Sequence, residues 1–93
     1  MSETIETLSA TIRDRQVHPV EGSYTCRLLA SGRAEILKKV GEEAVEVVVA
    51  GALQDDGRVV SESADLVYHL LVMLTERGLS WQDVEAELRR RFH

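Results

Sequence analysis

A single proline, Pro19, interrupts a chain of 93 residues whose apolar positions otherwise recur at helical spacing. Leu, Glu, Ala and Arg are abundant, and the β-branched residues fall mostly inside three-to-four-residue periodic patterns, so the chain is expected to be all-α. A first helix is predicted over 2–16, with Ile5, Leu8 and Ile12 on one face. The stretch His18-Pro19-Val20-Glu21-Gly22 breaks it. A short helix follows over 23–31, stopped by Gly32. A long helix over 33–53 carries Ile36, Val40, Ala44, Val47 and Gly51 as its main buried stripe. Gln54-Asp55-Asp56-Gly57 reads as a turn. The next helix, over 58–77, is apolar nearly all round after Ser63 and should be the central one. Gly78 ends it, and Ser80 caps a last helix, with Asp83 completing a capping box. The expectation is one domain, 1–93: a small bundle of four to five helices.

Two acidic pairs interrupt the most apolar part of this pattern. Glu43 and Glu46 lie three apart, as do Glu62 and Asp65, so each pair points roughly one way from its helix. An unpaired buried carboxylate is very costly. Glu46 is nine residues before Asp55 and Asp65 nine after Asp56, so in an antiparallel hairpin both stand about 13 Å from the turn. A shared divalent cation is the simplest counter-charge, and oxygen ligands favour Mg²⁺, Mn²⁺ or Ca²⁺ over Zn²⁺. Against a metal site, Lys39 precedes Glu43 by four residues and permits an ordinary ion-pair stripe, and acids near a helix start favour its dipole. Val49 and Leu53 continue the stripe of Glu43 and Glu46 and argue that this face is not simply exposed. His69, one turn after Asp65, reads as a hydrogen-bonded core residue, with support of Asp65 as the functional variant. Cys26 reads as a small buried side chain, and Trp81 as the anchor of the last helix. Gly32, Gly41 and Gly51 do not form a phosphate loop.

The net charge of −5 argues against a nucleic-acid partner. The basic residues are nonetheless clustered, at Arg33, Lys38 and Lys39 and again at Arg89, Arg90 and Arg91; the second cluster suits the end of a helix. No apolar run is long enough to span a membrane. The acidic N-terminus lacks the pattern of a signal peptide. The one cysteine cannot form an internal disulfide, so a cytoplasmic location is expected. A chain this short has little stability to spare, and the apolar breadth of the 58–77 helix points to a homodimer that completes the core.

The run Glu42-Glu43-x-x-Glu46, then Glu62-x-x-Asp65, resembles the signature of the all-α, MazG-like nucleoside-triphosphate pyrophosphatases. Ser23-Tyr24-Thr25, Leu28-Leu29, Gly32, Lys38-Lys39-Val40-Gly41 and Glu62-Ser63-Ala64-Asp65-Leu66-x-Tyr68-His69 are similar to the phosphoribosyl-ATP pyrophosphatase family, over nearly the whole chain. That resemblance implies a nucleotide-binding, ATP-binding hydrolase: Mg²⁺-dependent cleavage of the α–β anhydride of phosphoribosyl-ATP, giving phosphoribosyl-AMP and pyrophosphate, the second step of L-histidine biosynthesis. Mn²⁺ is the alternative ion. It also implies a dimeric helical bundle and, with no cyclohydrolase cysteines here, the stand-alone form. Glu43, Glu46, Glu62 and Asp65 would hold metal, and Glu42 or Glu43 would act on the attacking water. Ser23, Tyr24, Thr25, Arg33, Lys38 and Lys39 would bind substrate. A general nucleoside-triphosphate pyrophosphatase and a non-catalytic, cation-binding helical dimer are the competing readings.

Overall fold

The computed structural model of the chain describes residues 3–92. Five helices run in the order α1 (Glu3–Val17), α2 (Tyr24–Ser31), α3 (Arg33–Leu53), α4 (Asp56–Glu76) and α5 (Trp81–Phe92), with no strand among the described residues. The start of the first helix at position 2 lies outside the described residues. α1 ends where Pro19 disfavours a helical His18. Ser23 opens α2: its backbone is extended and its Oγ accepts from the Cys26 N–H at 3.2 Å. Gly32, with φ of 96°, is the only residue between α2 and α3. A side chain there would be strained.

The hairpin of α3 and α4 is tighter than the sequence pattern indicates. Asp55 accepts from the Arg58 N–H at 2.9 Å and so caps α4, drawing Asp56 and Gly57 into its first turn. Only Gln54 and Asp55 remain between the two helices. At its other end α4 closes in a Schellman motif. The Leu79 N–H donates to Leu74 O at 2.8 Å and Gly78 N–H to Thr75 O at 3.0 Å, with Gly78 at φ 77°. The predicted capping box is present: Ser80 N–H donates to Asp83 Oδ2 at 2.9 Å, and Asp83 N–H to Ser80 Oγ at 3.3 Å.

α4 is the central helix, packed on α3 along its length and also against α1 and α2. Ile12, Leu28, Ile36, Leu71, Val72 and Leu74 form the buried cluster, and Trp81 and Val84 dock α5 on it. The buried seam of α3 differs from the expected stripe. Steps of four over-rotate by about 40° each. The seam instead follows Ile36, Val40, Glu43, Val47 and Ala50, while Gly51 and Leu53 are exposed. A carboxylate therefore lies on the line of contact between the two long helices.

Candidate metal and substrate site

That carboxylate is Glu43. At about 100° per residue it sits within about 20° of the seam through Ile36, whereas Glu46 is turned away by about 80°. Glu43 is accordingly half-buried and Glu46 exposed. From α4, Glu62 is buried at 6% exposure and Asp65 lies one turn on, at the open edge. Ligand oxygens of Glu43, Glu62 and Asp65 all lie within 4.8 Å of one another. The hairpin thus brings together three of the four acids expected from sequence and leaves Glu46 outside this group.

The charges in the group are partly offset. The Arg58 guanidinium, one turn before Glu62, pairs with Glu62 Oε2. Lys39 Nζ lies 3.6 Å from both Glu42 Oε1 and Glu43 Oε2. Partial burial opposes the charge on Lys39, but the Tyr24 hydroxyl and the carboxylates of Glu43 and Glu42 outweigh it and hold the ammonium above the usual lysine range. Glu42 itself is exposed and stands outside the three-acid group. The donor set is all oxygen, with one deeply buried member, which suits a hard divalent cation such as Mg²⁺ or Mn²⁺.

Lys39 also lines a groove of about 270 Å³ with Tyr24, Arg27, Leu28, Ser31 and Glu35, so the acid group and the α2–α3 groove meet at this residue. A larger hollow of about 490 Å³ lies at the α1–α2 connection, lined by Arg15, Pro19, Cys26 and Glu76 among others. It contains none of the clustered acids. Cys26 is half-buried rather than buried, and its Sγ accepts from the Val20 N–H at 3.2 Å, which ties down that connection. This bond and the Ser23 hydroxyl lower the thiol's pKa, burial opposes them, and Arg15 adds a lesser lowering effect.

Two polar contacts fasten α2 to α4 beside the acids. His69 is 6% exposed, and its Nδ1 lies 2.7 Å from the Asp65 carbonyl oxygen. A carbonyl only accepts, so Nδ1 carries the proton. In the neutral ring Nε2 then accepts from the Tyr24 hydroxyl, 3.1 Å away. His69 is therefore a hydrogen-bonded core residue that also steadies Asp65, through its backbone rather than its carboxylate. The second contact joins the Thr25 and Tyr68 hydroxyls. Burial pushes the Tyr68 phenol up, and the Thr25 hydrogen bond only partly counters it. The Tyr68 and His69 rings meet edge-on, with centroids 4.9 Å apart, and the Arg27 guanidinium lies 5.8 Å from the Tyr24 ring centroid.

Of the residues expected to bind substrate, Tyr24 and Lys39 line the groove, Thr25 is bonded to Tyr68 on α4, and Ser23 lines the larger hollow instead. Arg33 stands apart: it pairs with Glu76 at 2.9 Å and lies ten residues, or about 15 Å, along α3 from Glu43. Lys38 is exposed. Arg58, Arg27 and Glu35 were not expected from sequence. Of these only Arg58 had a visible signal, its four-residue spacing from Glu62. In the terminal arginine run, Arg90 and Arg91 both pair with Glu87, as a solvated helix end would.

A family described as phosphoribosyl-ATP pyrophosphohydrolase matches residues 5–92. A phosphoribosyl-ATP pyrophosphatase of Metallosphaera sedula is 52% identical over 91 residues, covering 98% of each chain. Another, from Sphingopyxis alaskensis, is 48% identical over 98% of this chain and 84% of its own. The histidine biosynthesis bifunctional protein HisIE of Oceanobacillus iheyensis is 45% identical over 96% of this chain, which matches 41% of that longer protein.

Proposed function

The chain belongs to the phosphoribosyl-ATP pyrophosphohydrolase family, and from that premise we propose that it hydrolyses phosphoribosyl-ATP to phosphoribosyl-AMP and pyrophosphate, using Mg²⁺ or Mn²⁺ held by its hairpin acids. It is an enzyme, a hydrolase. The observation that carries the cation reading is the convergence of Glu43, Glu62 and Asp65 beside a groove that shares Lys39 with them. Glu43, Glu62 and Asp65 would hold the ion, and Glu46, one turn from Glu43, would reach it through water. The bound ion would draw negative charge from the anhydride oxygens.

The chain's own residues account for the rest. Lys39 and Lys38 present point charges to phosphate. Glu42 is left outside the acid group, so it can orient and deprotonate the attacking water. The Ser23 hydroxyl accepts from Cys26 N–H and would donate to substrate in place of its contact with the Cys26 thiol. The Tyr24 proton is committed to His69, so its oxygen accepts from a substrate hydroxyl or amino group. Thr25 is tied to Tyr68 and supports the groove wall. Arg33, at the far end of α3's first turns, suits the distal ribose phosphate rather than the anhydride. A homodimer completes the enzyme: Leu37, Val45, Val48 and Leu53 of α3 and Val60 of α4 are exposed apolar side chains. This uncovered face lies chiefly on α3, since α4 is wrapped by α1, α2 and α3. No helix among the described residues is long and apolar enough to cross a membrane, which fits a cytoplasmic site of action.

The test is pyrophosphate release from phosphoribosyl-ATP beside ATP and other nucleoside triphosphates, with and without chelator. The expected result is strong preference for phosphoribosyl-ATP and loss of turnover in chelator. Comparable turnover of ATP would establish the general pyrophosphatase instead. Cation binding without pyrophosphate release from any substrate would leave only a cation-binding dimer.

A further inference from the structure

We propose that Arg58 is the resident counter-ion of the acid site: it neutralises Glu62 while no cation is bound, yields to the cation when one arrives, and so sets how tightly the cation is held. This rests on the cation reading above. Glu62 has an 8% exposed side chain, and its ion-pair partner among the described residues is Arg58, whose own side chain is 53% exposed. A carboxylate so placed needs a positive partner to remain charged at tolerable cost. Arg58 is well set to provide it. Its backbone N–H is fixed by the Asp55 cap at 2.9 Å, so the side chain starts from a defined point one turn from Glu62.

The same contact conflicts with a bound cation. The guanidinium sits on Oε2 of Glu62, and an ion shared by Glu43, Glu62 and Asp65 would draw on the same carboxylate, so two positive charges would crowd one carboxylate. The two partners are unequal in freedom. Glu62 is locked in the seam, whereas Arg58 has a long stem and an open path to solvent, so Arg58 moves. Lys39 differs in kind: it bridges Glu42 and Glu43 and faces the groove, where substrate phosphate offers it another partner.

The test is calorimetric titration of Mg²⁺ and Mn²⁺ into the substrate-free full chain, with melting curves in chelator and in saturating Mg²⁺. Arg58→Met keeps the stem and helix propensity but removes the competing charge. We expect it to bind either ion about tenfold more tightly, equivalent to about 1.4 kcal/mol. It should melt lower than the unaltered chain in chelator and gain more on adding Mg²⁺. Arg58→Lys retains the charge and should stay within about threefold of the unaltered affinity. Equal or weaker binding by Arg58→Met would overturn the proposal, weaker binding meaning that Arg58 holds Glu62 in its ligating position. Tight binding by Arg58→Lys equal to that of Arg58→Met would also overturn it. No binding by the unaltered chain would instead remove the cation reading itself.

Discussion

Replacing Glu62 with glutamine keeps the shape of the side chain and removes one charge from a crowded group. Ligand oxygens on Glu43 and Asp65 lie within 4.8 Å of one on Glu62. Two unit charges about 5 Å apart repel by about 3 kcal/mol at an effective dielectric constant of about 20. Asp65 is exposed, so solvent screens most of its share, and Lys39 partly neutralises Glu43. The attraction to the half-exposed Arg58 is discounted similarly, to about 1 kcal/mol, and the amide oxygen still accepts from that guanidinium. The balance favours Glu62→Gln in the metal-free state by about 1–2 kcal/mol. For a domain of this size that raises Tm by roughly 5–10 °C. With Mg²⁺ at a hundredfold excess over its Kd, the unaltered chain gains about 2.7 kcal/mol and the variant little, so the order of melting should close or reverse. Differential scanning calorimetry in chelator and in Mg²⁺ measures both arms. A lower Tm for the variant in chelator would refute the claim that repulsion among the carboxylates outweighs the pair with Arg58. Equal Mg²⁺-induced shifts in both proteins would refute Glu62 as a ligand.

Tyr24→Phe removes the bond to His69, so it should cost about 1 kcal/mol of stability. It should also raise KM for phosphoribosyl-ATP while leaving Mg²⁺ titrations unchanged; a lost Mg²⁺ heat would place Tyr24 in cation binding instead. Tyr68 has its folded pKa raised, chiefly by burial, so the folded chain binds that proton more tightly than the unfolded one. Its contribution is therefore full below the ordinary phenol pKa near 10 and is lost as pH rises through the elevated value. Tyrosinate absorbance should show one late-titrating phenol whose ionisation accompanies alkaline unfolding, and Tyr68→Phe should abolish that phase. Val48→Glu places a charge on the exposed α3 face and should shift sedimentation from dimer to folded monomer, whereas an unchanged sedimentation coefficient would locate the interface elsewhere.

The five helices were legible because their punctuation is local. Pro19, Ser23, Gly32, Gly78 and the Ser80–Asp83 box each act within a few residues, and all do in the structure what their chemistry implies. Asp55 was harder, since a cap and a turn residue are the same amino acid until its hydrogen bond to Arg58 is seen. The acidic motif pointed to Glu43, Glu62 and Asp65, which the hairpin gathers, but gave no sign that Glu46 would stand apart from them. That depends on rotational drift along the seam, which a three-residue spacing does not resolve. The contact between Tyr24 and His69 joins positions 45 apart in sequence and had no local trace. Tyr68 and Thr25 are similarly remote, 43 apart. Such pairs are set by how α2 crosses α4, and the sequence periodicity of either helix is silent on the crossing.

Gly32 gives that crossing a mechanical character. α2 and α3 are two stiff rods meeting at one residue, with no slack between them. Tyr24 sits at the far end of the shorter rod, eight residues or about 12 Å from the pivot. A change of about 10° in the backbone torsions at Gly32 would therefore swing the Tyr24 end by about 2 Å, half the width of a phosphate-sized gap, while α3 and its acid stay fixed on α4. The opening of the groove is thus geared to a single pair of dihedral angles, and the hydrogen bonds between Tyr24 and His69 and between Thr25 and Tyr68 act as stays on the long end of the lever.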